Sequence, residues 1–167
     1  WEVDEFNDIN IVIWSPDYNC YSGGIIALNY LAHLLKCYGI KNIFIFSNQK
    51  ANWCSAKEIK SKTLLWKICP KDKTYVLYPE IVKNNPLEAK YLGRWYLGVP
   101  SELKENIKQH SKEDDYWSYN PYTKSELMKL DIDSKDLGLL LTRKLQFYQK
   151  NSTVKRNGIC FSIRKGK

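Results

Sequence analysis

Three short apolar runs, Ile9 to Trp14, Asn42 to Phe46 and Thr74 to Tyr78, set the strongest limit on how this 167-residue chain can fold. Each is nearly continuous in hydrophobicity rather than alternating, the pattern of a strand covered on both faces as in a parallel sheet. Parallel neighbours cannot be joined by a tight turn, so a crossover must lie between them. Between the first two runs, Ile25, Leu28, Leu31, Ala32, Leu34 and Leu35 recur at helical spacing, with Ser22 placed as the N-cap and Gly39 placed as the stop. Strand, helix and strand within about 40 residues make one βαβ unit.

Further along, Pro79-Glu80 closes the third strand, and the spacing predicts a second helix over Pro86 to Leu97, with Pro86 in its first turn and Gly98-Val-Pro100 ending it. The polar, basic stretch from Gln49 to Lys73 reads as loop with a short strand around Thr63 to Ile68. Asp115 to Asn120, Leu137 to Leu141 and Gly158 to Arg164 are candidate later strands. The sum is one Rossmann-like domain over residues 1–167, an open, mostly parallel α/β sheet with helices on both faces. At 44% hydrophobic and 14% aromatic, the composition is that of an ordered globular protein. No apolar run approaches the roughly 18 residues of a membrane span, and no leader pattern opens the chain. A cytoplasmic setting is expected, although the start at Trp1 leaves a processed leader open. The five cysteines, Cys20, Cys37, Cys54, Cys69 and Cys160, are odd in number and form no C-x-x-C pair, which fits neither a zinc site nor a disulfide framework and favours a reducing compartment.

The loop S-P-D-Y-N-C-Y-S-G-G joins the first strand to the first helix. In open α/β sheets ligands bind outside the carboxyl ends of the strands, and this loop lies at such an end. Helix-start N–H groups favour an anion or a sugar oxygen, and Gly23 and Gly24 let it approach the backbone. The alternative is that the glycines only permit the turn and close helix packing. A dinucleotide site would need G-x-G-x-x-G and an acid after the second strand, where the chain has Ser47-Asn48-Gln49; a P-loop would need Gly-Lys, where Gly24 precedes Ile25. Both are excluded. Asp17 and Glu80 each follow a strand on this same edge, so two carboxylates could converge on one cleft as binders of hydroxyls or as a general base, the alternative for Glu80 being a cap or a lysine partner.

The residues then become familiar. S-P-D-Y-N-C-Y-S-G-G-I-I-A-L-N-Y-L-A-H-L-L, Y-P-E-I-V-x-N-N-P-L-E-A-K-Y-L-G-R-W, E-D-D-Y-W-S-Y and G-I-C-F-S-I-R-K-G-K, in that order from about residue 9 to the end, resemble the amino-terminal half of a family of GT-B glycosyltransferases, the Tyr-Pro-Glu block most specifically. The resemblance implies the acceptor-side lobe of an enzyme that moves a sugar from a nucleotide-sugar donor to a glycan or small-molecule acceptor. Asp17 and Glu80 are then the catalytic candidates, and Ser22, Gly23, Gly24, Asn84, Asn85 and Arg94 the substrate-binding ones. Helix packing and surface pairing remain the alternative for Arg94. The family generally uses no bound metal, and the nucleotide-sugar is a co-substrate rather than a cofactor. A second Rossmann-like lobe would normally follow the Arg-Lys-Gly segment; none follows Lys167, so the chain is expected to be incomplete as a catalyst and open to self-association.

Other features are weaker. His33 and His110 lack ligand-spaced partners and read as core or surface residues. Glu113-Asp114-Asp115 before Tyr116-Trp117-Ser118-Tyr119 suits sugar stacking, or simply an acidic turn into a buried aromatic strand. Arg164-Lys165-Gly166-Lys167 reads as a linker start or a phosphate contact. The net charge of +8 invites a rival function, a non-catalytic basic domain for nucleic acid or another polyanion, but 22 Lys scattered through the chain against four Arg argue for a solvated surface instead.

Overall fold

A computed structural model of the chain describes residues 8–98 and 104–138. Its elements run β1 (Asn10–Trp14), α1 (Gly23–Cys37), β2 (Ile43–Phe46), β3 (Lys57–Ile59), α2 (Lys62–Ile68), β4 (Thr74–Pro79), β5 (Tyr91–Tyr96), α3 (Lys104–Ile107), β6 (Asp115–Ser118), α4 (Pro121–Met128) and β7 (Lys135–Asp136). The seven strands form one sheet in the order β3-β2-β1-β4-β5-β6-β7, every pair parallel. This is a Rossmann-like α/β fold, and the strand order reverses between β1 and β4.

Side chains alternate between the faces, as the pleat requires. Ile13, Ile43, Leu77 and Trp95 pack under α1 through Ala27, Leu28, Leu31 and Ala32. On the opposite face Val12, Phe44, Val76 and Tyr78 pack with Leu65 of α2, and Tyr96 and Tyr116 with Leu127 of α4. Helices therefore cover both faces. The ends of α1 follow from local chemistry: Ser22 caps it by accepting from the Ile25 N–H, and Gly39 adopts the left-handed φ of 93°. With Gly39 donating to Lys36 and Ile40 to Leu35, the last carbonyls are satisfied in a Schellman turn.

Two expected elements are replaced. The stretch expected as a helix over Pro86 to Leu97 is a turn-rich connection followed by the buried strand β5. Asn84 and Glu88 hold left-handed φ values of 51° and 56°, and the Asn85 side chain bonds both the N–H and the C=O of Ala89, so the backbone closes a loop instead of a helix. The short strand expected at Thr63 to Ile68 is helix α2, whose N-cap Ser61 accepts from Leu64 N–H at 3.2 Å. The strand near Asp115 stops at Ser118, and the candidate strands beyond Gly138 lie outside the described residues. No described helix is long and apolar enough to cross a membrane.

Candidate functional site

Because all strands point the same way, the loops after β1, β2, β4, β5 and β6 gather on one edge. Asp17, Ser22, Gly23, Gly24 and Glu80 all lie there. The loops after β1 and β2 are tied together: Ser15 N–H donates to Phe46 O at 3.0 Å and Tyr18 N–H to Gln49 O at 2.7 Å. Exposed Asp17 joins this clasp through Oδ1, which accepts from Asn48 N–H at 3.1 Å; no described residue bonds Oδ2. Trp14, Pro16, Asp17, Phe46 and Asn48 line a cleft of about 240 Å³ here.

The glycines of the first helical turn have no structural excuse. Neither Gly23 nor Gly24 has a positive φ. A Cβ on Gly23 would meet nothing within 4 Å, and one on Gly24 only an ordinary 3.7 Å contact with Leu97 Cδ1. Turn geometry and packing therefore do not require them, and their effect is to leave the helix N-terminus bare. Among the described residues, nothing accepts from the N–H groups of Gly23 or Gly24, while those of Ile25 and Ile26 bond Ser22.

Glu80 sits in the same rim but faces inward. It is buried, and its two oxygens accept from Leu97 N–H at 3.2 Å and Gly98 N–H at 2.9 Å. Burial raises its pKa above the ordinary carboxylate value, opposed by these backbone donors. The two carboxylates share the edge without converging: Asp17, after β1, leans to the end of β2, and Glu80, after β4, leans to the end of β5.

The other three candidates differ in exposure: Asn84 is exposed, Asn85 is half-buried beside the amino-edge cavity, and Arg94 is buried. Arg94 is on β5 rather than a helix, 1% exposed, and its Nε donates to Asp114 Oδ2 at 2.9 Å in a buried ion pair. Nη1 donates to Val82 O at 2.9 Å, Nη2 donates to Asn84 O, and the guanidinium lies 5.0 Å from the Tyr78 ring centre. Asn85 accepts from the Tyr78 hydroxyl at 3.0 Å. Arg94 and Asn85 thus brace the 80–90 connection, and none of the three residues lines the Asp17 cleft.

One contributor escaped the sequence reading. Asn29, fully buried on α1, accepts from Ala51 N–H at 2.8 Å and lies 3.4 Å from Ser15 Oγ, fastening the helix to both loops. An amide inside an apolar helical stripe was the available signal.

A cavity of about 660 Å³ lies on the opposite, amino-terminal edge and is lined by Lys73, Lys90, Tyr91, Glu113 and Asp115 among others. It mixes both signs of charge and has no helix N-terminus aimed at it. In the loops after β1, β2 and β6 (residues 15–22, 47–50 and 119–120), by contrast, Asp17 and Lys50 are the formal charges, and the Lys50 ammonium is turned to the Cys54 carbonyl. The rest is Tyr, Asn, Ser and Gln with Pro, Cys and Gly beside them, and Tyr21 is 95% exposed. Among the described residues no three His, Cys, Asp or Glu side chains come together as metal ligands. Compared with family models, curated proteins and solved structures, the chain matches none.

Proposed function

We propose that the chain is the acceptor-side lobe of a GT-B-type glycosyltransferase, taking a hydroxyl acceptor and meeting a nucleotide-sugar bound largely by a second Rossmann-like lobe. The observation that carries this reading is the bare turn at Gly23-Gly24: two glycines that the fold does not need, at the strand-order switch point, beside hydroxyls, amides, an exposed tyrosine and the exposed carboxylate of Asp17. Glycan hydroxyls both donate and accept, and such a rim matches them. In this reading the N–H groups of Gly23 and Gly24 donate to a substrate oxygen, with Ser22 holding the turn. Asp17 Oδ2 takes the proton of the attacking hydroxyl if transfer inverts; if it retains, the donor phosphate assists. Glu80 holds the rim by fixing Leu97 and Gly98, and Arg94 holds the connection that follows Glu80 through the carbonyls of Val82 and Asn84.

The test is amide-shift mapping with neutral oligosaccharides and nucleotide-sugars at low and high salt, on the wild type and on Gly23→Ala. Salt-insensitive shifts at residues 17–24 and 47–49, weakened by the alanine, support the proposal. Shifts confined to the amino-edge cavity, or none at millimolar ligand, overturn it.

One observation favours the polyanion rival. Residues 139–167 hold eight Lys and Arg and no Asp or Glu, whereas residues 1–138 hold 18 of each sign, so the whole +8 belongs to that last segment. Binding that collapses with salt and maps to residues 139–167 would establish the rival instead.

A further inference from the structure

We propose that His110 is a pH-sensitive clasp that holds residues 80–84 against the β5–β6 connection and releases them in acid. This is independent of the glycosyltransferase reading. His110 Nε2 lies 2.9 Å from Val82 O, and a carbonyl only accepts, so Nε2 carries the hydrogen. The neutral ring's Nδ1 then accepts from the Tyr96 hydroxyl at 2.8 Å. Val82 O also accepts from Arg94 Nη1 at 2.9 Å. One carbonyl, two residues from Glu80, is thus shared by an arginine and a neutral histidine.

A second proton on His110 would do two things. It would convert Nδ1 from acceptor to donor, so that the fully buried Tyr96 oxygen must accept and the hydroxyl hydrogen loses its acceptor. It would also place a cation beside Arg94, whose counter-ion Asp114 already bonds Nε. The groups facing His110 are Arg94 and Tyr96 from β5, and Asp114 and Tyr116 at the start of β6. Across an adjacent cavity of about 540 Å³ stand Lys108, Lys112, Asp131 and Asp133. That cavity gives the ring a route to water. Burial first and Arg94 second hold the imidazole below its ordinary value of 6.5, against the opposing pull of Val82 and Asp114.

The sign follows from linkage. The folded state binds this proton less readily than the opened one, so the clasp contributes fully above about pH 6.5 and is lost as the pH falls below it. The freed segment carries Glu80, whose carboxylate secures Leu97 and Gly98, so opening reaches the rim.

The experiment is amide hydrogen exchange, corrected for intrinsic rates, with NMR titration of the His110 ring between pH 7.5 and 5, in a His33→Gln background so that one histidine reports. Protection at Val82, Leu97 and Gly98 is expected to fall at least about tenfold across this range, and to be pH-independent in His110→Gln, whose amide can still donate to Val82. Should His110→Gln not fold, the ring titration of the parent decides. An ordinary midpoint near 6.5 with unchanged protection, or a His110→Gln variant that keeps the full pH response, refutes the clasp.

Discussion

Arg94→Met tests how the 80–90 connection is held. The arginine forms a buried pair with Asp114, the side chains being 1% and 8% exposed, and its removal leaves a carboxylate with no cation inside the protein. Removing one member of such a pair costs about 3–5 kcal/mol, mostly because the other charge is stranded. The lost carbonyl contacts add little: Val82 O keeps His110, and Asn84 is exposed, so water replaces its donor. Loss of the cation from the buried Tyr78 ring, worth about 2 kcal/mol when desolvated, moves the cost toward the upper end of that range. A loss of about 3–5 kcal/mol is therefore expected in urea unfolding, with an unchanged m-value. Adding Asp114→Leu should recover most of it, since no charge is then orphaned, and a double-mutant cycle isolates the coupling. Arg94→Lys keeps a cation beside Asp114 and should recover part of the loss, but not all of it, because an ammonium cannot span acceptors on both segments in the fork geometry of the guanidinium. If Arg94→Met costs under about 1 kcal/mol, or the double variant is no better than the single, the pair is not what anchors this loop.

Two further perturbations read the same architecture. Gly93→Ala would place a Cβ 2.1 Å from the Tyr75 hydroxyl and 3.0 Å from Trp117 Nε1, forcing apart two groups that bond at 2.9 Å; thermal unfolding should show a loss of about 1–3 kcal/mol, with Tyr75→Phe restoring only part because Cζ still lies at 2.9 Å. Glu80→Gln sets an NH₂ against one of two backbone donors, so about 1–3 kcal/mol of stability and the exchange protection of Leu97 or Gly98 should be lost, while Asp17→Asn, on an exposed side chain, should leave stability within about 1 kcal/mol.

How much of this was legible beforehand depended on where each residue finds its partners. β1, β2, β4 and α1 were readable because an apolar run or a 3.6-residue stripe reports burial directly, and Ser22 and Gly39 punctuate α1 with local chemistry. β5 was not, because Pro86-Leu-Glu-Ala-Lys carries helix-favouring residues and the deciding bonds are non-local: Tyr78 reaches Asn85, and Arg94 reaches Asp114 twenty residues on. The same limit applies to the rim. Asp17, Ser22, Gly23 and Gly24 could be assigned to it from the strand-to-helix handover alone. That Glu80 turns inward, and that Arg94 is a buried brace, required knowing that β5 lies beside β4.

The distribution of charge separates the two functional proposals more sharply than net charge does. Residues 1–138 are formally balanced, and on the amino edge Lys73 and Lys90 stand among Asp72, Glu113 and Asp115. A polyanion crossing that edge would meet both signs within a few ångströms, and it could release few counterions there. On the carboxyl edge, the loops after β1, β2 and β6 hold only Asp17 and Lys50 as formal charges. These two edges thus offer a polyanion no continuous track, and residues 139–167 are the segment with the most basic residues uninterrupted by an acidic one. Deleting that segment is therefore decisive between them: polyanion binding should vanish, while neutral-glycan shifts at Gly23 and Gly24, whose bare N–H groups depend on α1 and not on the basic segment, should persist.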